Sequence, residues 1–166
     1  MKEHIYKYKS SKVLLKSILS WICLAMQIGI SILIVFNGGG IGSLLVVNLV
    51  FLIFTIPGII IHLNYLKNAR NAVLILRYNT ISLTSSEKEI TLNTSDITKV
   101  ILHEGPRGSR MPWWNYSWFE LIDKEGQSIK ISCYLLDISD FWLDSLSRKV
   151  SSKNLVWEES LFPIIK

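Results

Sequence analysis

Residues 17–66 contain no Asp, Glu, Lys or Arg, and the run is broken only by the turn Asn37-Gly38-Gly39-Gly40-Ile41-Gly42. An apolar helix of about 20 residues crosses a hydrocarbon core of roughly 30 Å. The stretch therefore predicts two membrane helices, at about 17–36 and 42–63, joined as a tight hairpin. Within residues 44–61 Leu, Ile, Val and Phe predominate, which outweighs Asn48, Thr55 and the kink expected at Pro57-Gly58. Ser20, Gln27, Gly29 and Ser31 dilute the first helix.

Charge placement argues the same way. The chain has 18 basic and 13 acidic residues. Up to Asn71, Lys2, Lys7, Lys9, Lys12, Lys16, Lys67 and Arg70 face Glu3 alone, whereas the remainder is slightly acidic. The basic excess thus flanks the apolar block, where it orients helices and meets anionic headgroups. A nucleic-acid module would carry it on the folded domain, so nucleic acid is excluded as a partner. The positive-inside rule then predicts a multi-pass protein of the cytoplasmic (inner or plasma) membrane, with a basic N-terminus at 1–16 and both termini cytoplasmic. A cleavable signal peptide fits poorly, because apolar sequence resumes at once after the glycines.

Inside the hairpin, Ala25 and Gly29 stand four apart, the spacing that lets another helix approach. Gln27 and Asn48 are polar at membrane depth, suited to an interhelical hydrogen bond or a ligand contact. These four are the expected transmembrane packing residues. His62, at the inner edge, is the one titratable group of the spans, which disfavours ion or proton transport.

From residue 72 onward the pattern changes to short alternating runs. Strands are expected at 73–76, 80–83, 89–92, 97–103, 116–123 and 127–132, with Lys124-Glu125-Gly126 turning the last pair. Asp137 is placed to cap a helix over about 138–150, with Ile138, Phe141, Trp142, Leu146 and Val150 on one stripe. The apolar tail, 154–166, should pack along the domain or against the membrane. The expected fold class is α+β: an N-terminal transmembrane helical hairpin, then a small antiparallel β-roll or partly open barrel closed by a C-terminal amphipathic helix.

The runs Asn79-Thr80-Ile81-Ser82-Leu83, Ile90-Thr91-Leu92 and Ser95-Asp96-Ile97-Thr98-Lys99-Val100 resemble the strand rhythm of bacterial pleckstrin-homology-like (PH-like) domains carried behind a two-helix membrane anchor. The resemblance covers about 72–150. It implies a seven-stranded roll and a non-enzymatic binding or scaffold role at the bilayer, toward a protein partner or the membrane surface. The alternative from another class is an immunity or accessory subunit acting through its helices on a toxin or larger membrane complex.

The expected contact site is the loop between residues 103 and 116. There Arg107 and Arg110 could meet lipid phosphates or an acidic partner, and Trp113 and Trp114 could settle at headgroup level. His103 beside Glu104 lacks a nucleophile or second histidine, so no catalytic residue is assigned. Cys23 and Cys133 have no metal-ligand spacing, and neither metal nor cofactor is expected. The expected partners are the lipid bilayer, an unidentified protein and, through the Ala25/Gly29 face, a second copy of the chain.

Overall fold

The computed structural model describes residues 3–86, 88–106, 111, 113–136 and 155–165. The elements run β1 (His4–Lys7), α1 (Ser10–Phe36), α2 (Ile41–Ala69), β2 (Val73–Leu76), β3 (Thr80–Thr84), β4 (Glu89–Asn93), a 3-10 turn (Thr94–Asp96), β5 (Ile97–Glu104), β6 (Ser117–Asp123), β7 (Ser128–Ser132) and β8 (Leu155–Glu159). They form two four-stranded sheets, ordered β1-β2-β3-β4 and β7-β6-β5-β8.

The strands between residues 73 and 132 follow from local chemistry. β2 and β3 pair antiparallel with Leu74 opposite Leu83 and Leu76 opposite Ile81, and Leu74 and Ile81 are fully buried. On β6, Phe119 and Leu121 alternate into the core beside Ile129 and Ile131 of β7, as period-two patterning requires. The β6–β7 turn is closed by the Asp123 carboxylate, which accepts from the backbone N–H of Glu125 (2.9 Å) and Gln127 (2.8 Å). Gly126 adopts φ +80° there, a conformation glycine reaches without a Cβ clash. Lys124 Nζ ties this turn to Asp96 Oδ1 at 2.9 Å.

The expected fold class is overturned at both ends. The helices do not open the fold: they follow β1, whose His4 and Lys7 pair with Leu76 and Val73 of β2. Four residues in a Lys-rich start give too short an alternation to reveal a strand, and its partner lies beyond both helices. At the other end the C-terminal region is a strand. β8 runs parallel to β5, with Ile101 opposite Val156 and Leu102 opposite Trp157, so the sheet is not wholly antiparallel. The tail's Leu-Val-Trp run supplies β-branched and aromatic residues suited to a sheet edge. The expected helix over 138–150 lies outside the described residues.

The expected localisation, a multi-pass protein with two spanning helices, is overturned as well. Among the described residues, one helix is long and apolar enough to cross a membrane, α2. The apolar part of α1 reaches only Ser20–Phe36, short of the ~20 residues a span needs. Lys12 and Lys16 occupy its opening turns.

α2 is unbroken through Pro57, and its two ends meet different surroundings. Leu45, Val46, Leu49 and Ile53 are exposed, whereas Ile61, Tyr65 and Ala69 are 0% exposed. The spacing of four puts these three on one stripe, packed in the same core as Leu74, Leu102, Tyr116, Leu121 and Ile131. The last turns of α2 therefore plug the β-structure. Tyr65→Ala should destabilise the folded chain by about 3–5 kcal/mol, the usual cost of deleting a buried aromatic ring. Leu45→Ala, on the exposed half, should leave the melting transition in detergent nearly unchanged; equal losses would contradict the plug.

Candidate functional site

The candidate functional face lies where α2 leaves the sheets, because helix, loop and tail are bonded together there. On α2, the Asn64 side chain makes two bonds to the backbone of Ile165: Nδ2 donates to its carbonyl and Oδ1 accepts from its N–H, each at 2.9 Å. One residue on, the Tyr65 hydroxyl donates to the Pro163 carbonyl at 2.7 Å. Trp113 Nε1 donates to the Leu161 carbonyl at 2.7 Å, and its ring lies against Phe162. The tail is thus held across the exit of α2.

Beneath it lies a hydroxyl cluster. Tyr134 donates to Tyr116 at 3.2 Å, and both hydroxyls lie within reach of His62 Nδ1, at 2.7 and 3.0 Å. The Tyr116 and Tyr134 rings also pack on Tyr65, the former edge-on with centroids 5.1 Å apart. Burial in this mostly apolar setting disfavours the phenolate. It pushes Tyr116 up to about 12, against a partial lowering by the Tyr134 hydrogen bond, and raises Tyr134 further still. The cluster therefore joins helix to sheet through neutral hydroxyls.

Of the residues singled out in the 103–116 loop, Trp113 is buried and acts as a clamp on the tail, while Trp114 is 50% exposed. Leu161 and Phe162 are exposed as well, and the Trp113 contacts place them beside the same loop. Arg107 and Arg110 lie outside the described residues. Gly105 makes room for this loop: a Cβ there would stand 3.1 Å from Trp114 Cα.

Along the helices, Gln27 Nε2 donates to Asn48 Oδ1 at 2.8 Å. Asn48 Nδ2 reaches Ser31 Oγ at 3.2 Å and the Leu44 carbonyl at 2.8 Å. These polar groups are spent on joining α1 to α2. Ala25 and Gly29 are not brought to that contact. Both are exposed, and a Cβ on Gly29 would meet nothing within 4 Å.

His103 is engaged with neighbouring strands. It stacks on Trp118 with centroids 3.7 Å apart and planes 9° from parallel. Its ring nitrogens face Glu120 at 3.5 Å and Glu158 at 3.3 Å, so it spans β5, β6 and β8. Among the described residues no group of three or more His, Cys, Asp or Glu is placed to hold a metal. Sequence reasoning missed the Tyr65–Tyr116–Tyr134–His62 cluster because its members come from three separate segments, the end of α2 and the stretches flanking β6 and β7. The available signal was that Tyr65 and His62 sit in the last turns of a helix otherwise without polar rings.

Raised tyrosine pKa values have a signed consequence. Below pH 10 both folded and unfolded tyrosines are neutral. From pH 10 to about 12 the unfolded chain releases the Tyr116 proton while the folded chain retains it, so stability falls as pH rises. Tyr116→Phe should make the alkaline limb of stability against pH shallower, as read by urea unfolding from pH 9 to 12. An unchanged slope would show that Tyr116 does not titrate this way.

No curated protein matches the chain. A family model described as the PH domain matches residues 5–142. The match starts inside β1 and runs through both helices into the sheets, so the helices lie within the matched unit. With well over half its length covered, the chain belongs to the PH-domain family, whose members are typically non-catalytic binding modules.

Proposed function

We propose that the chain is a membrane-anchored, non-enzymatic binding module whose PH-like domain rests on the bilayer surface and presents its remaining faces to a protein partner. One observation carries the reading: α2 passes without a break from an exposed apolar half into a buried plug. Its 29 residues extend about 43 Å at ~1.5 Å each. A hydrocarbon core of roughly 30 Å takes about 20 of them, up to residue 60, and the turns that follow carry Ile61, Tyr65 and Ala69, which are packed in the domain. Anchor and binding module are then one rigid body, which fixes the domain's height and tilt.

The groups around the exit of α2 suit such a surface. Trp114, Leu161 and Phe162 are exposed apolar groups on segments bonded to the helix, the kind that settle at the interface. Exposed Lys9 and Lys67 near the helix ends would meet anionic headgroups. Holding the domain there raises its effective concentration for partners in the same membrane. An accessory role exerted through the helices has less support, since Gln27, Ser31 and Asn48 are engaged with one another.

The test is flotation of the full chain with phosphatidylcholine vesicles, followed by alkaline carbonate. The chain should float and resist extraction. The double variant Leu49→Arg, Ile53→Arg should remain at the bottom of the gradient, since each arginine at mid-bilayer costs ~2.5–3.5 kcal/mol. A wild-type chain that stays soluble without detergent would refute the anchor. Trp114→Ala with Phe162→Ala should retain flotation but lower protection of the domain from surface quenchers.

A further inference from the structure

Between α1 and α2, at the level where α2 leaves the sheets, lies a cleft of about 250 Å³ lined by Ser17, Ser20, Trp21, Leu24, Thr55, Ile59, His62, Leu63 and Leu66. An apolar cavity of about 150 Å³ suffices to hold benzene, so this one has room for a longer apolar segment. Two groups break its apolar lining in an unusual way. Ser20 and Thr55 are 8% and 3% exposed, and neither hydroxyl has a hydrogen-bond partner among the described residues. Helical Ser and Thr commonly bond back to the carbonyl four residues earlier; here neither hydroxyl does so. A buried hydroxyl left this way is unfavourable, and an acceptor supplied by a ligand relieves it.

Among the described residues that line the cleft none is Lys or Arg, and His62 already has its Nδ1 engaged by Tyr116 and Tyr134. A neutral carbonyl is an acceptor that the two hydroxyls can match.

We propose that the cleft is a specific lipid site, holding one acyl chain of a glycerophospholipid whose ester carbonyl accepts hydrogen bonds from Ser20 and Thr55. The site rests on the membrane-anchored reading above, and its test separates the two. The full chain is reconstituted in vesicles of phosphatidylcholine carrying a diazirine on one acyl chain, irradiated, and its labelled residues mapped. In the wild type, Leu24, Thr55 and Ile59 should be labelled several-fold more than Leu49 and Ile53 on the outer face of α2.

Ser20→Ala with Thr55→Val removes both donors at nearly constant shape. It should lower cleft labelling about tenfold, each hydrogen bond being worth roughly a factor of three, with outer-face labelling unchanged. Thr55→Trp fills the cleft and should abolish labelling of Leu24 and Ile59. The wild-type comparison of faces stands even where a variant is unstable. Even labelling of the two faces, or cleft labelling that persists in either folded variant, overturns the lipid site and leaves the anchor intact. A chain that neither floats nor takes any label overturns both.

Discussion

Burial of Ile61, Tyr65 and Ala69 among the strands is the contact on which the rest of the architecture depends. These residues close a core that two four-stranded sheets would otherwise leave open, and they do so with the end of a helix whose other end remains exposed. The Asn64 and Tyr65 bonds to the tail, the Tyr116–Tyr134–His62 cluster and the Trp113 clamp all use positions fixed by that insertion. Removing the plug would open a cavity and leave hydroxyls without partners, two costs that reinforce each other.

On the membrane-anchored reading proposed above, this arrangement changes how a binding domain relates to its anchor. A domain on a flexible linker samples many orientations, so its linker sets only a distance. Here the connection is a continuous helix, braced by α1 through the Gln27–Asn48–Ser31 hydrogen bonds. The surface offered to a partner is then defined by the fold itself. The PH-domain match across residues 5–142 agrees, because it treats strands and helices as one unit.

Much of the β-structure was legible locally. Strands at 73–76, 80–83, 89–92 and 97–103 could be read from alternation, and Asp123 with Gly126 announced the β6–β7 turn. The Gln27–Asn48 contact was legible because polar groups on adjoining apolar helices have few other partners. What could not be read depends on pairing far along the chain. β1 has four residues and a partner beyond both helices; β8 looks like a packed tail until β5 lies beside it in parallel. Residues 61–69 mix Ile61, Leu63 and Leu66 with His62, Asn64, Lys67 and Asn68, a pattern that suits a helix end at a membrane surface as well as one inside a domain. His103 had an obvious neighbour in Glu104, yet the sheet register sets it between Glu120 and Glu158. Neither spacing nor composition carries that information.

The position of β1 has a consequence for the order of assembly. Its pairing with β2 joins positions 4 and 76, a closure that an unstructured chain would meet at a considerable entropic cost. Two helices packed side by side bring those ends together in advance, converting a distant encounter into a neighbouring one. The first sheet is therefore expected to zip up late, after the helical pair has formed. A ribosome-released chain whose helices have not yet docked would expose two unmatched strand edges, and that interval is when it would be most prone to self-aggregation.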